Sequence, residues 1–135
     1  MNMIKIGVVT ALVLQSSVAF AGLPSNLTRT SANTYIAGIE KELQACSISP
    51  EEAGECYDAA RNQYDQLLKV IRSKYGAKVN QNLWQSINLK FKKQGDACRS
   101  DFLLSGDTQF FLPYLDCVTN NLHSLAVTAV ELHLK

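Results

Sequence analysis

The 135-residue sequence is poor in the residues that carry most catalytic chemistry. It has two histidines and three prolines, and no stretch alternates between apolar and polar residues as a β-strand does. It also lacks a glycine-rich phosphate loop, a G-x-S-x-G nucleophile elbow and an H-E-x-x-H zinc motif. We therefore predict an all-helical protein that is not an enzyme, with no catalytic residues and no cofactor.

The two histidines make a poor metal site. His123 and His133 are ten residues apart, which places them roughly 80° apart around a helix with 3.6 residues per turn. The cysteines have no C-x-x-C spacing that would suggest zinc. We predict no bound metal, and we place each histidine at the surface or boundary of the last helix.

Net charge is also nearly absent. The whole chain carries +1, and without Lys5 its 12 basic residues balance its 12 acidic ones. Binding to nucleic acid through bulk charge is therefore not expected. Acids cluster in residues 40–65 and bases in residues 69–99, which indicates either complementary solvated helix faces or a surface that meets a charged partner.

A long apolar run occurs only at the N-terminus. Residues 1–21 have the pattern of a cleaved signal peptide: Lys5, the apolar stretch 6–14, and the small-x-small site Ala19-Phe20-Ala21. The apolar stretch is too short to cross a bilayer, which needs about 20 residues. We expect residues 22–135 to form a single domain that is periplasmic or secreted, with no membrane insertion after cleavage.

Four cysteines follow the predicted signal: Cys46, Cys56, Cys98 and Cys117. An even number in an exported chain predicts two disulfides, because the compartment is oxidising. A domain of this size also buries a core, so the disulfides add to hydrophobic packing rather than replace it.

Helical periodicity predicts four helices in an up-and-down bundle. The first begins near Ser31 or Asn33, and the second runs from a capping serine, Ser49, to Gly76 as a left-handed C-cap. The third runs from about Val79 towards Phe102, and the fourth opens near Leu112-Pro113. The apolar positions predicted to face the core on these helices are Tyr35, Ile36, Ile39, Leu43 and Cys46; Ala53, Cys56, Ala60, Tyr64, Leu67, Leu68, Ile71 and Tyr75; Leu83, Ile87, Phe91, Cys98 and Phe102; and Tyr114, Val118, Leu122, Leu125, Ala129 and Leu132.

Equal height in the bundle suggests the disulfide pairing. Cys56 and Cys98 lie equally far from the turn near Ala77, so they are level if the second and third helices pack side by side. We predict Cys56–Cys98 and Cys46–Cys117 among the three possible connectivities.

The sequence allows two interpretations of Trp84 and of the turn at 105–107. Trp84 lies one residue from the predicted stripe, so it belongs either to the core, which we favour, or to its edge. The apolar residues around the turn at 105–107 either fold back over the bundle end, which we favour, or form a tip that binds a partner.

The order of these features resembles the LprI-like lysozyme inhibitor domains, which are exported all-helical modules with four cysteines. The residues that carry the resemblance are Cys46, Cys56-Tyr57, Leu67-Leu68, Tyr75, Gly95-Asp96-Ala97-Cys98 and Phe111-Leu112-Pro113-Tyr114-Leu115-Asp116-Cys117-Val118. The resemblance covers residues 43–132. Where that family commonly has Gln-x-x-Trp, this sequence has Ile87 and Lys90.

The resemblance implies an exported binding protein that inhibits a peptidoglycan-degrading enzyme, with a protein partner such as a cell-wall hydrolase or toxin. Polar residues expected near the disulfides would face that partner's cleft: Ser47, Ser49, Glu51, Glu52, Ser105 and Asp107. Two alternatives remain at this point: a periplasmic immunity protein against a cognate toxin, and a structural or assembly module of an envelope complex.

Overall fold

A computed structural model describes residues 23–24, 26–46, 50–106 and 111–135. These residues form four α-helices and one short 3-10 turn, with no β-strand among them. We number the helices α1 (Arg29–Cys46), α2 (Pro50–Tyr75), α3 (Gln81–Ser105) and α4 (Phe111–His133). The predicted all-helical, disulfide-bonded bundle is confirmed. The predicted signal segment lies outside the described residues.

Side-chain caps set two helix starts. α1 begins at Arg29, earlier than predicted, because Thr28 and Ser31 cap each other reciprocally. The Ser31 amide donates to Thr28 Oγ1 (3.1 Å) and the Thr28 amide donates to Ser31 Oγ (2.9 Å). α3 begins after Asn80, whose side chain accepts from the Leu83 amide at 3.1 Å.

A left-handed glycine ends α3, but the left-handed glycine predicted at the end of α2 does not occur. α2 ends at Tyr75, but Gly76 does not adopt a left-handed conformation, so that prediction is wrong; the chain continues as a 3-10 turn over Gly76–Lys78. At the end of α3, Gly106 has φ 61°, a left-handed conformation that glycine adopts without strain.

The central helix of the bundle is α4. It packs against α1, α2 and α3, and α1 also packs against α2. By contrast, α2 and α3 make no comparable contact with each other although they follow one another in sequence. The predicted side-by-side pairing of α2 and α3 is therefore wrong, because α4 lies between them.

The core lies among α1, α2 and α4, with Trp84 of α3 closing one end. Tyr64, Leu67, Ile71 and Val130 are almost fully buried. Trp84 is 5 % exposed, which confirms the core interpretation. On the predicted α3 stripe, Cys98 is buried and Ile87 packs against the core, as predicted, but Leu83 is 48 % exposed, so its core position is wrong.

On α4 the buried side extends beyond the predicted stripe, which is wrong only at Leu132. Leu115, Thr119, Ala126, Ala129, Val130 and His133 are buried, whereas Leu132 lies at the surface. Because α4 packs against three helices, its buried side is wider than a single predicted stripe. The surface or boundary placement of His133 is wrong; His123 is partly buried, as expected for a boundary position.

The four cysteines form two disulfides, as predicted, but in a different pairing. The bonds are Cys46–Cys56 and Cys98–Cys117, with Cα–Cα distances of 6.0 and 5.8 Å. The predicted Cys56–Cys98 pair is wrong because α4 separates α2 from α3, and the predicted Cys46–Cys117 pair is wrong because both cysteines are bonded to other partners. Each disulfide instead joins two helices that are consecutive in sequence and adjacent in space.

None of the helices in the described part of the chain is both long and apolar enough to span a bilayer. The two disulfides are compatible with a non-cytoplasmic location.

Candidate functional site at the disulfide end

Both disulfides lie at one end of the bundle, which we call the disulfide end. Cys46 is the last residue of α1 and Cys56 lies near the start of α2. Cys98 lies in the last third of α3 and Cys117 in the second turn of α4. Two covalent links therefore hold all four helices in two pairs at this end.

A further contact joins the two pairs. The Tyr57 hydroxyl on α2 donates to Asp116 Oδ1 on α4 at 2.8 Å. Burial, the hydrogen bond to Asp116 and the charge of that carboxylate together raise the pKa of Tyr57 to about 12. Tyr57 thus remains a neutral hydrogen-bond donor at neutral pH, and it ties each crosslinked pair to the other.

Three aromatic side chains pack beside the Cys98–Cys117 bond. Phe102 of α3 stacks on Tyr114 of α4, with ring centroids 4.9 Å apart and planes inclined by 21°. Phe111 contacts both rings, at centroid distances of 6.0 and 6.5 Å. Such offset arrangements stabilise beyond their buried area, so the end of α3 is firmly attached to the start of α4.

Large apolar side chains protrude from this aromatic base. Leu104 is 85 % exposed, Leu103 is 66 % exposed and Phe111 is 40 % exposed. We call these three residues the apolar tip. Single exposed apolar residues are common, whereas here three large apolar side chains are exposed at the same end of the bundle. Exposure of these residues contradicts the interpretation that they fold back over the bundle.

The predicted partner-binding residues fall partly outside the description. Ser47, Ser49 and Asp107 lie outside the described residues. Position 51 lies in the first turn of α2 and position 105 is the last residue of α3, so both lie at the disulfide end, as expected. Glu52 is exposed in the first turn of α2. The apolar tip was not among the predicted site residues, although its leucines are visible in the sequence as adjacent apolar residues before a glycine.

A concave feature lies halfway along the bundle, where α4 separates α2 from α3. It is a groove with a volume of about 760 Å³, which we call the polar groove. The α2 wall presents Asp58, Arg61, Asn62 and Asp65. These positions repeat at intervals of three and four residues and so share one helix face.

The opposite wall and the floor follow the same spacing. On α3 the groove is lined by Asn88, Phe91, Lys92 and Gly95. The floor, on α4, consists of Asn121 and three apolar residues, Val118, Leu122 and Leu125. The polar repeat on α2 was visible in the sequence, but only the position of α4 shows that it faces a groove rather than open solvent.

Hydrogen bonds fix two amides of this groove. Asn121 donates through Nδ2 to the Phe91 carbonyl oxygen at 2.8 Å, and Asn88 donates through Nδ2 to the Trp84 carbonyl oxygen at 3.1 Å. A β-carbon at Gly95 would lie 3.3 Å from Asn121 Nδ2. The absence of a side chain at Gly95 therefore leaves space for Asn121 between α3 and α4.

The charges of the groove are largely compensated within each wall. Asp58 pairs with Arg61 on α2, and Lys92 lies 3.5 Å from Asp96 on α3. Partial desolvation raises the pKa of the Asp65 carboxyl, whereas the positive charges of Arg61 and Arg72 act in the opposite direction. The groove therefore offers hydrogen-bonding groups without a strong net charge.

The histidines serve packing in this structure. His133 is buried with Nδ1 2.9 Å from the Ala129 carbonyl oxygen, and its ring meets the edge of Trp84 at 4.8 Å. His123 Nε2 lies 3.7 Å from Glu40 and its ring contacts Tyr64. Among the described residues, no group of three histidine, cysteine or acidic side chains is arranged to hold a metal ion.

No family model matches this chain, and neither the curated proteins nor the solved structures contain a match to it.

Proposed function

We propose that this protein is an exported binding protein that inhibits a peptidoglycan-degrading enzyme through its disulfide end. The observation that carries the proposal is the apolar tip of Leu103, Leu104 and Phe111, exposed above a rigid aromatic base. The choice of a cell-wall hydrolase as partner comes from the resemblance to LprI-like inhibitor domains.

Rigidity supports an inhibitory role for this end. A segment that is already ordered loses less conformational entropy when it enters a cleft. The Cys98–Cys117 bond and the stack of Phe102 on Tyr114 hold the base of the tip before any partner arrives. Apolar and aromatic residues at the centre of an interface also contribute most of its binding free energy.

Glu52 adds a polar margin to the same end. It is exposed in the first turn of α2, beside the Cys46–Cys56 connection. Polar groups at the rim of an interface steer association and improve specificity more than they add affinity. We therefore assign the main contribution to the tip and a smaller one to Glu52.

The proposal is tested by titrating the oxidised protein into a peptidoglycan lysis assay with a representative lysozyme. Inhibition near equal molar ratios supports it, and Leu104→Ser should then weaken inhibition by at least about tenfold, as a buried hot-spot leucine does. Leu83→Ser is the matched control, since Leu83 is a 48 % exposed leucine on the same helix at the opposite end.

Two results would contradict the proposal. Equal inhibition by the Leu104 and Leu83 variants would remove the tip as the binding surface. Absence of inhibition across a panel of cell-wall hydrolases, together with Leu104-dependent capture of another envelope protein, would instead indicate the assembly role.

A further inference from the structure

We infer that the polar groove is a second binding site, and that its ligand is a neutral saccharide chain. This inference does not depend on the apolar tip, because the groove is formed by other residues at mid-height in the bundle. Its volume of about 760 Å³ falls within the usual range of small-ligand sites, roughly 300–1,000 Å³.

The charge balance excludes strongly ionic ligands. Two carboxylates, Asp58 and Asp65, face two cations, Arg61 and Lys92, so the lining residues carry no net charge. Asp58 and Lys92 are also paired within their own helices. A polyanion or polycation would have to break these pairs without gaining a compensating field.

The arrangement of polar and apolar groups matches a sugar ring. Asn62 and Asn88 stand on opposite walls, Leu122 and Leu125 form the apolar floor, and Phe91 adds an apolar group to the α3 wall. A pyranose has an apolar face formed by its C–H groups and a rim of hydroxyls that both donate and accept hydrogen bonds. The apolar floor therefore complements the C–H face of the sugar ring, and the polar walls complement its hydroxyl groups.

Pre-formed acceptors strengthen this assignment. Asn121 and Asn88 each use Nδ2 to hold a backbone carbonyl of α3. Their Oδ1 atoms have no protein partner among the described hydrogen bonds and can accept from a ligand hydroxyl. Because the amides are already held, binding costs little side-chain entropy.

The length of the groove suits a chain rather than a single sugar. On each of the three helices the lining residues span eight positions, for example Asp58 to Asp65, and the seven steps between them rise roughly 10 Å along a helix. The groove is bounded along its sides by α2 and α3, whose separation is set by α4. An extended oligomer can therefore lie parallel to the helices.

The test is a titration of the oxidised, isotope-labelled protein with a soluble N-acetylglucosamine tetramer, followed by NMR. We expect chemical-shift changes at Asn62, Asn88 and Asn121. Asn62→Ala should weaken binding by about five- to tenfold, the effect of losing one or two hydrogen bonds. Asn62 makes no hydrogen bond to the rest of the described chain, so this substitution does not endanger folding.

A neighbouring asparagine supplies the matched control. Asn120 is exposed and does not line the groove, so Asn120→Ala should bind the tetramer as the unsubstituted protein does. Shift changes confined to the apolar tip, or no shift changes with the tetramer and with neutral glucose oligomers, would overturn the inference. Binding of a zwitterionic peptide but of no sugar would overturn it as well. Lysozyme inhibition is measured separately with Leu104→Ser, so failure of one proposal does not decide the other.

Discussion

The two ends of this bundle are closed by different means. At the disulfide end, Cys46–Cys56 and Cys98–Cys117 link the helices covalently while leucines protrude into solvent. At the opposite end, which we call the terminal end, the start of α1 meets Lys135, the last residue of the sequence. There the Arg29 amide donates to the Lys135 carbonyl oxygen at 2.7 Å, and the Arg29 guanidinium donates to the Glu131 carbonyl oxygen.

Packing completes the terminal end. The Leu27 amide donates to the Tyr75 hydroxyl at 3.1 Å, and Leu27 itself is buried. Trp84 covers His133 in an edge-to-face contact. This end buries Leu27 and Trp84 but leaves Leu83 48 % exposed, and the disulfide end leaves Leu104 85 % exposed. The terminal end is thus held by hydrogen bonds and by the buried contact of Trp84 with His133, whereas the disulfide end is held by two covalent links and exposes Leu104.

The largest test of this comparison truncates one aromatic side chain at each end. Trp84→Ala should reduce the free energy of unfolding by about 3–5 kcal/mol, because it removes a buried indole and leaves a cavity. Phe111→Ala, at 40 % exposure, should cost about 1 kcal/mol, since much of its ring is already in water. Chemical denaturation measures both. Equal losses would show that the disulfide end depends on packing as much as the terminal end does.

Removal of the disulfides tests the other half of the comparison. The bonds close loops with sequence separations of 10 and 19 residues. Loop-closure entropy predicts losses of about 2.7 kcal/mol for Cys46→Ser/Cys56→Ser and about 3.2 kcal/mol for Cys98→Ser/Cys117→Ser.

Hydrogen exchange locates the effect of these paired substitutions. Amide protection should fall most near residues 111–117 in the Cys98→Ser/Cys117→Ser protein and least around Tyr75 and Trp84. Peptide mapping without reduction gives the control for connectivity. Recovery of a Cys56–Cys98 peptide, or uniform loss of protection over both ends, would contradict this division of roles.

Local sequence patterns were sufficient for the helices and insufficient for their arrangement. Pro50 marks a helix start that the structure confirms, because such signals depend on a few neighbouring residues. The predicted turn at 105–107 begins where α3 ends, whereas the left-handed C-cap predicted at Gly76 is wrong. The cysteine pairing depends on which helices are adjacent. The equal height of Cys56 and Cys98 in the bundle implied contact only if α2 and α3 packed against each other. The position of α4 between them depends on contacts between residues far apart in sequence, which local patterns do not reveal.

The candidate sites show the same limit. Trp84 was predicted in the core although it lies one residue from the predicted stripe, and Leu83 was assigned to that stripe; the structure buries Trp84 and leaves Leu83 exposed. The polar repeat from Asp58 to Asp65 is a surface pattern in any single helix. It becomes one wall of a groove because α3 packs on the other side of α4 and forms the opposite wall. The periodicity of one helix shows which residues share a face, but only the packing of the helices determines what that face contacts.

A pair of glycine substitutions probes how closely α3 approaches α4. Gly38→Ala should stabilise the protein by about 0.5–1 kcal/mol, because alanine favours the helix and nothing lies within 4 Å of the new β-carbon. Gly95→Ala should lose that gain, because its β-carbon presses on Asn121. In an Asn121→Ala background the gain at position 95 should return. Thermal unfolding measures all four proteins, and equal stabilisation at both glycines would contradict the close approach.

The smallest expected effect concerns the Tyr57–Asp116 hydrogen bond between the two crosslinked pairs. Tyr57→Phe should cost at most about 1 kcal/mol at neutral pH, since the bond is accessible to water. The pKa of Tyr57 is raised to about 12 in the folded protein from 10.0, so this stabilisation is complete below pH 10 and disappears as the pH rises towards 12. Asp116→Asn should lower that pKa only partway, because burial is its largest cause. NMR of ¹³C-labelled tyrosine follows the titration, and an unchanged pKa in Asp116→Asn would show that this hydrogen bond does not join the two crosslinked pairs in solution.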